Sequence, residues 1–399
     1  MSVATQSRVE QRPAKYPFID ALRGYAVLLV ITSHTGRVFA ELPYPLTKLT
    51  NFGWYGVQLF FLMSCVTLLL SWRSDEAKGR ADPIAFWLRR FFRIAPMYYL
   101  AAVLYFIIAT PPSGFDVRQL LASFLFVNTW YPTWTPTTEG WTVVPGGWSI
   151  GVEFTFYLLF PLIAFLVRSR RGVILFCAFA VAAGSLANPI ARDILIDRYG
   201  KVATDNFLYF WFPNQLIVFA LGTILYRILT FTWTHPDTLL PRLARRYATP
   251  ILLGCVAACI VTTHVPLPER MPPALLVVVP RFVAASLIFM VFATTLGNAP
   301  RNLFNNRPIR LLGKVSFSAY LLHFAVLQQA TAMLPSIFNP HATGWTAIGT
   351  CLALWLFTIP TTFVLSFATY RWVEEPMIAV GRRFTFGRGR LAVAAPSIP

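Results

Sequence analysis

Two histidines and several charged side chains lie inside long apolar stretches of this 399-residue sequence. Asp20, Arg23 and His34 fall in one stretch, and His323 falls in another. A charged side chain at the centre of a membrane-spanning helix costs about 2.5–3.5 kcal/mol on insertion scales, so such residues are rare and usually functional. A neutral imidazole can take a proton from a hydroxyl group or carry a transferred group covalently. His34 is therefore the first candidate for chemistry.

The spacing of the polar residues in the first stretch places them on one face of a helix. The eleven steps from Arg23 to His34 return to within about 20° of the same direction, and Asp20 precedes Arg23 by three residues. His34 would lie roughly 16 Å further along the helix than Arg23. This stripe indicates a polar tunnel that passes the bilayer midplane. A simpler interpretation stays open, in which Asp20 and Arg23 are an ion pair at the membrane surface and His34 only packs between helices.

Three arginines mark the start of the third apolar stretch. Arg89, Arg90 and Arg93 follow an Asp-Pro pair at 82–83. Planar guanidinium groups bind phosphate oxygens through paired hydrogen bonds. Charge that only stops translocation of the chain would explain one or two arginines, whereas a ligand with several phosphates would use them all. We therefore predict a phosphate-binding role for Arg90 and Arg93.

Glu153 is a carboxylate about a turn and a half inside another apolar segment, 148–167. An unpaired carboxylate at this depth would be neutralised or would need a cationic or hydrogen-bonding partner. Glu153 could orient the imidazole of His34 or stabilise its protonated form. Asp20, Tyr157 and His323 are taken as supporting residues, although a structural role alone would also explain His323.

The elements that must position these side chains are membrane-spanning helices. Hydrophobic residues make up 56% of the chain and charged residues 13%, roughly half the charged share of a soluble domain. We predict an all-α integral membrane protein with about ten transmembrane helices, plus a short re-entrant or interfacial helix near 119–130. The predicted spans are 18–38, 54–72, 91–110, 148–167, 172–188, 207–226, 249–264, 281–297, 315–334 and 345–370.

The net charge of +18 follows from membrane topology and does not require a nucleic-acid partner. With the N-terminus inside, 25 Lys and Arg residues fall on the cytoplasmic side and 8 on the other side or at its helix ends. The positive-inside rule therefore places both termini in the cytoplasm. The protein is expected to be a multi-pass protein of the plasma (inner) membrane.

One membrane domain is predicted over 18–376, preceded by a cytoplasmic segment, 1–17, and followed by a cytoplasmic tail, 377–399. The first apolar stretch lacks a small-residue cleavage site and is read as a retained anchor. All five cysteines fall in apolar segments, and no Cys/His cluster has the spacing of a zinc site. We expect neither disulfides nor a metal ion.

Six stretches together resemble, in order, the acyltransferase-3 family of membrane O-acyltransferases. No single motif is specific, but six in the same order are. The stretches are Ile19 to Ala26 with His34, Gly56 to Phe61, Arg90 to Pro96, Trp148 to Tyr157, Gly313 to His323, and Tyr370 to Pro376.

The resemblance implies a ten-helix fold that takes an acyl group from cytoplasmic acyl-CoA and delivers it to a hydroxyl, often across the membrane. It also implies that His34 matches the essential catalytic histidine and that Arg23 matches a second essential residue. Two positions depart from many relatives, with Ser64-Cys65 in place of a Ser-Gly pair and Glu153-Phe154 in place of paired glutamates. The second departure leaves Glu153 as the only carboxylate of its motif.

Residues and resemblance together predict a membrane O-acyltransferase that moves an acyl group, expected to be acetyl, to a cell-envelope or exported saccharide. His34, Glu153 and Arg23 would be catalytic. Arg90 and Arg93 would hold the CoA phosphates, and Arg23 would also bind the donor by drawing its pantetheine arm or thioester into the tunnel. Acyl-CoA would be a co-substrate, and no permanently bound cofactor is expected. The other partners would be a saccharide or lipid-linked glycan acceptor and the lipid bilayer.

Two other classes of function stay open at this point. A polytopic transporter of an envelope precursor would also carry charges inside the membrane, but such proteins commonly show repeated halves, which this sequence lacks. An assembly subunit of a polysaccharide export complex would not need the aligned histidine. The aromatic residues Tyr131, Trp134, Trp141 and Trp148 could stack on sugar rings or could form a membrane-interface belt.

Overall fold

The computed structural model describes residues 16–109, 115–136, 142–264 and 280–383, and no β-strand occurs in them. A π-helical segment, Tyr370–Glu374, joins the last long helix to a final helical stretch, 375–383. The helices are α1 (Pro17–Arg37), α2 (Tyr44–Phe52), α3 (Gly56–Ala77), α4 (Pro83–Ile108), α5 (Val117–Phe124), α6 (Trp148–Leu166), α7 (Arg170–Tyr199), α8 (Lys201–Phe210), α9 (Phe212–Thr234), α10 (Leu239–Arg246), α11 (Ala248–His264), α12 (Pro280–Asn298), α13 (Arg307–Lys314), α14 (Ser316–Met333) and α15 (Gly344–Thr369).

The long apolar helices confirm the prediction of an all-α membrane protein. Within the described ranges, seven helical stretches are long and apolar enough to cross a membrane. The number rises to nine if two bent pairs, α10 with α11 and α13 with α14, each count as one span. These nine coincide with nine of the ten predicted spans. The tenth, α1, is not among them because Asp20, Arg23 and His34 lower its mean hydropathy.

Helix α1 lies inside the bundle, where protein rather than lipid surrounds it. It packs against α2, α3, α12, α13, α14 and α15. Side chains on several of its faces, including Ala21, Leu22, Val27 and Ile31, have 0% exposed surface. Polar groups in a membrane are tolerated where protein buries them or where they line a cavity. The position of α1 therefore explains how it carries Asp20, Arg23 and His34.

Glycines bring α1 and α13 into backbone contact near the charged end of α1. A Cβ atom on Gly313 would lie 1.6 Å from the carbonyl oxygen of Asp20. A Cβ atom on Gly24 would lie 2.2 Å from the carbonyl oxygen of Ile309. Small residues are the usual means by which helix backbones approach closely in membranes. This contact fixes the first turns of α1, which carry Asp20 and Arg23.

Ion pairs and hydrogen bonds gather several basic loops at one end of the bundle. Glu76, at the end of α3, pairs with Arg73 at 2.6 Å and with Arg168 at 2.7 Å. Arg227, in α9, donates a hydrogen bond to the carbonyl oxygen of Arg168 at 2.5 Å. The segments after α3 and α6 and the second half of α9 therefore lie together. This is the arrangement expected of segments assigned to one side of a membrane.

The short helix predicted near 119–130 is present, and the first part of the predicted C-terminal tail is helical. The helix predicted near 119–130 is α5, which begins at Val117, ends at Phe124 and rises only about 12 Å, too little for a span. Residues 377–383 of the predicted tail continue the last helix, and Gly381 packs against Phe92. Residues 1–15 and 384–399 lie outside the described residues.

Replacing Gly313 by alanine is expected to destabilise the protein, because the added methyl group would collide with the backbone of α1. Overpacking of this kind costs about 1–3 kcal/mol. Gly254→Ala is a matched control, since nothing lies within 4 Å of a Cβ atom at that helical position; it should leave stability unchanged or raise it slightly. Thermal unfolding of purified protein in detergent, followed by tryptophan fluorescence, measures both. Equal transition temperatures for the two variants would contradict the packing described.

Candidate active site

A cavity between α1, α3, α4, α6 and α14 brings together most of the charged residues that the sequence singled out. It contains ≈ 700 Å³ of space between atoms, part of it open to the surroundings. Its wall contains Arg23, Val57, Phe60, Phe61, Ser64, Thr67, Arg90, Arg93, Ile94, Ser149, Ile150, Glu153, Tyr157, Ser316, Phe317 and Tyr320.

The three arginines of the wall have few partners in the described parts of the chain. Arg23 donates a hydrogen bond from Nη2 to Oγ1 of Thr67 at 3.1 Å. The guanidinium of Arg90 lies 5.6 Å from the centre of the Phe86 ring, and its buried Nε has no hydrogen-bond partner there. Arg93 makes no hydrogen bond or salt bridge to the described residues. Because each guanidinium carries five N–H donors, most of this donor capacity is available to an anion.

The start of α4 determines which arginines enter the cavity. The helix begins at Pro83, after the capping residue Asp82, whose Oδ1 accepts a backbone hydrogen bond at 2.9 Å. Arg90 and Arg93 are three residues apart and therefore share the face that lines the cavity. Arg89 does not line the cavity and pairs with a carboxylate of α3 at 2.9 Å. Arg90 and Arg93, which are predicted to bind phosphate, therefore differ from Arg89 only in the face of α4 on which they lie.

Glu153 is held by two hydroxyl groups. Its Oε1 accepts hydrogen bonds from Oγ of Ser64 and from the Tyr157 hydroxyl, both at 2.5 Å. Arg23 and Arg90 lie within electrostatic range of the carboxylate. No hydrogen bond joins Glu153 to His34 in the structure, so an orienting role of this carboxylate toward His34 stays a prediction without a contact to support it.

His34 lies outside the wall of the cavity and faces His323. The two ring centroids are 5.3 Å apart and the ring planes are inclined by 40°. His323 has 0% exposed surface and its Nδ1 lies 3.2 Å from the carbonyl oxygen of Ala319. The Phe324 ring covers both imidazoles, at 4.3 Å from His34 and 4.1 Å from His323. Two histidines that the sequence presented separately therefore form a pair.

Tyr320 connects the cavity to the histidine pair. It lines the cavity, and its ring centroid lies 6.0 Å from that of His323. Its hydroxyl accepts a hydrogen bond from Ser149 at 2.8 Å and donates one to the carbonyl oxygen of Gly146 at 2.9 Å. Gly146 has a φ of +76°, and a Cβ atom there would lie 3.0 Å from the tyrosine hydroxyl. The position therefore requires glycine, and the backbone before α6 holds the ring between the two centres.

Asp20, which the sequence predicts as a supporting residue, lies outside the cavity wall. It lies within electrostatic range of Arg23, three residues later on α1, without a salt bridge between them in the structure. The predicted surface ion pair is therefore not formed, and the Arg23 side chain enters the cavity instead.

A buried carboxylate that the sequence did not single out, Glu374, lies behind the cavity. It is 2% exposed, accepts a hydrogen bond from Ser318 and lies within electrostatic range of Arg93. The π-helical segment at this point inserts one extra residue into the helix, a feature often found at functional sites. The available signal was its place in the stretch Tyr370 to Pro376, which carried the family resemblance.

Apart from Tyr157, the hydroxyl groups of the wall were also missed. Ser64, Thr67, Ser149 and Tyr320 carry no charge, and serine and threonine in membrane helices commonly bond to their own helix backbone. Ser149 and Tyr320 lie in stretches that carried the family resemblance, which was the available signal for them. No signal in the sequence distinguished Thr67 from an ordinary packing residue.

Three of the four aromatic residues considered for sugar stacking lie in the described part of the chain. Trp148 is buried, at 6% exposure, and its ring lies 4.5 Å from that of Phe210 in the core. Tyr131 and Trp134 contact each other, with ring centroids 5.3 Å apart. Trp141 lies outside the described residues. Trp148 is therefore a core residue and not a sugar platform.

The chemistry that this arrangement supports is binding of a polyanion next to a pair of imidazoles. The arginines can hold phosphate groups, and the imidazoles can accept a proton or carry a transferred group. No group of three or more His, Cys, Asp or Glu residues that could bind a metal ion occurs among the described residues.

Comparison with known proteins gives a consistent result. The model of a family described as an acyltransferase domain matches residues 16–371. The chain is 28% identical to the acyltransferase MdmB of Streptomyces mycarofaciens, over 93% of this chain and 94% of that protein. It is 24% identical to the peptidoglycan O-acetyltransferase OatA of Listeria monocytogenes, over 93% of this chain and 57% of that protein. No solved structure matches the chain.

A third relative shows the same partial coverage as OatA. The chain is 24% identical to the putative peptidoglycan O-acetyltransferase YrhL of Bacillus subtilis, over 92% of this chain and 55% of that protein. The chain thus spans nearly all of MdmB but little more than half of the two peptidoglycan O-acetyltransferases.

Proposed function

The chain belongs to the acyltransferase family whose model matches residues 16–371, and we propose that it transfers an acyl group from acyl-CoA to a hydroxyl of an envelope or exported saccharide. Family membership makes it a membrane O-acyltransferase rather than a transporter or an assembly subunit. We propose the identity of the donor, the class of the acceptor, the side of the membrane on which the donor binds and the roles of the residues.

The observation that carries the proposal is the set of arginines in one cavity. CoA bears a diphosphate and a separate phosphate on its ribose, so it presents several anionic groups at one end. Arg23, Arg90 and Arg93 share the cavity wall, and only one hydrogen bond to the described protein engages any of them. Guanidinium groups suit phosphate oxygens better than the point charge of lysine does. These residues are proposed to bind the CoA phosphates.

The separation of the arginines from His34 suits the shape of acyl-CoA. His34 follows Arg23 by eleven residues on one helix, about 16 Å along its axis. The pantetheine arm of CoA is extended and flexible and places the thioester far from the phosphates. With the phosphates at the arginines, the arm would pass Tyr320, which touches both the cavity and the histidine pair. His34 is proposed to perform the acyl transfer there.

The names of two relatives support the acceptor class. OatA and YrhL are described as peptidoglycan O-acetyltransferases, known and putative respectively, and peptidoglycan is an envelope saccharide. We extend from them only the chemical class, a saccharide hydroxyl, and the expectation of acetyl as the transferred group. Glu153, with Ser64 and Tyr157, is proposed to stabilise charge in the cavity during transfer.

The first prediction is that His34→Gln abolishes acyl transfer while the protein stays folded. Glutamine keeps hydrogen-bonding capacity but is not basic, and loss of a general base or nucleophile lowers rates by about 10²–10⁴-fold. Membrane vesicles containing the chain are incubated with [¹⁴C]acetyl-CoA, and label is counted in glycan and lipid fractions. Labelled propionyl- and butyryl-CoA are tested alongside. His235→Gln, a change at an exposed histidine, is the control. Labelling by His34→Gln at near the wild-type rate would remove His34 from the mechanism.

The second prediction concerns the donor phosphates. Arg90→Ala and Arg93→Ala should each raise the KM for acetyl-CoA about tenfold or more, because a hydrogen bond to a charged group is worth about 1.5–3 kcal/mol. Lysine should restore binding only in part. Arg89→Ala is the matched control, since Arg89 pairs with Asp75 outside the cavity. An unchanged KM in the double variant would refute the assignment.

The third prediction places the donor site on the cytoplasmic side, with both termini in the cytoplasm of a bacterial inner-membrane protein. The gathering of basic loops at one end and the excess of positive charge there support it. Single cysteines replacing exposed Arg80 and Arg118 are treated with a membrane-impermeant maleimide on intact cells. Arg118→Cys should react and Arg80→Cys should react only after lysis. The opposite pattern would invert the topology.

A further inference from the structure

The described structure leaves a fully buried ring nitrogen of His323 without a hydrogen-bond partner. His323 has 0% exposed surface, and its Nε2 makes no hydrogen bond within residues 16–109, 115–136, 142–264 and 280–383. A buried polar atom without a partner is costly and calls for an explanation. A histidine that only packed between helices would be expected to satisfy both nitrogens or to expose one of them.

The other nitrogen of His323 determines which tautomer is present. Nδ1 lies 3.2 Å from the carbonyl oxygen of Ala319, which can only accept a hydrogen bond, so Nδ1 carries the proton. In the neutral ring Nε2 is then an acceptor with a free lone pair. The helix backbone thus presents His323 as a proton acceptor.

The distance between the two rings suits a direct proton transfer. An N–H···N hydrogen bond of roughly 2.9 Å between two imidazoles, whose nitrogens lie about 1.1 Å from their ring centres, places the centroids about 5 Å apart. The observed separation of His34 and His323 is 5.3 Å, with the planes tilted by 40°. The centroid separation is therefore compatible with such a bond, and the Phe324 ring packs against both imidazoles.

We propose that His323 is the proton acceptor for His34 and that His34 carries the acyl group. The inference rests on the proposed function, since it needs an acyl thioester as donor. A ring nitrogen of His34 attacks the thioester carbonyl, a C–N bond forms, the C–S bond breaks, and CoA leaves as a thiolate. The proton on the other nitrogen of His34 passes to Nε2 of His323, so that a neutral acyl-imidazole forms. His323 then protonates the thiolate.

The second half of the reaction uses the same pair. The acceptor hydroxyl attacks the acyl-imidazole, an O–C bond forms and the C–N bond to His34 breaks. Nε2 of His323 takes the hydroxyl proton and returns it to His34, which restores both neutral rings. No oxidant, metal ion or further co-reactant enters the balance. In this scheme His323 acts on the reacting imidazole, whereas Glu153 acts in the cavity on the other side of Tyr320.

An exchange reaction tests the proposal without knowledge of the acceptor. The full chain in nanodiscs is incubated with acetyl-CoA and [³H]CoA, and label entering acetyl-CoA is measured. Exchange requires that the acyl group leave CoA and return to it, so wild-type protein should show it and His34→Gln should not. His323→Asn should exchange at least about 100-fold more slowly. Asparagine can keep an N–H donor toward Ala319 but has no counterpart of Nε2. The affinity of His323→Asn for [¹⁴C]acetyl-CoA should be unchanged, so that the loss appears in kcat and not in KM.

Two further variants keep the test decisive if His323→Asn folds poorly. His323→Ala removes the ring, and added imidazole should restore a measurable part of its exchange rate. His235→Asn, at an exposed histidine, should exchange normally. Wild-type protein that labels its acceptor without any CoA exchange would overturn the proposal, as would His323→Asn that exchanges at near the wild-type rate. In either case inactivity of His34→Gln in acceptor labelling would leave the proposed function intact, whereas its activity would refute the role of His34.

Discussion

The need to keep ionisable side chains of α1 away from lipid governs the rest of this structure. Arg23 and His34 would each be costly on a helix that faced the bilayer. The bundle meets this constraint by surrounding α1 with six helices and by bringing α13 into backbone contact through Gly24 and Gly313. The helix can then be less apolar than the others, and its polar face is free to line a site.

Helix α1 therefore contributes side chains both to the cavity and to the histidine pair. Near its start, Arg23 joins Arg90 and Arg93 in a positively charged cavity, and near its end His34 meets His323. The tyrosine ring at position 320 lies between the centres and is held by the backbone before α6. A substrate with phosphates at one end and a reactive thioester at the other matches this division, as the proposed function requires.

Carboxylates lie near the cavity arginines but form no salt bridges with them in the described structure. Glu153 is bonded to two hydroxyl groups, and Glu374 to Ser318, so neither carboxylate forms a salt bridge with the cavity arginines in the described structure. The guanidinium groups keep their donors for a ligand, while nearby negative charge lowers the cost of burying them. Arg89, which pairs directly with Asp75, shows the alternative that the cavity arginines avoid.

The sequence by itself determined the membrane class, nearly all the spans, the shared face of Arg23 and His34, and the arginine pair of α4, because these follow from hydropathy and from the period of a single helix. It did not show that Glu153 bonds to Ser64 and Tyr157, or that His34 meets His323. Tyr157 follows Glu153 by four residues on the same helix, a spacing at which side chains meet. Ser64 and His323 lie on other helices than their partners, 89 residues away for Ser64, and helical periodicity says nothing about which faces meet across a bundle. Only tertiary packing, limited by glycine contacts and by the φ of +76° at Gly146, decided which polar groups became neighbours.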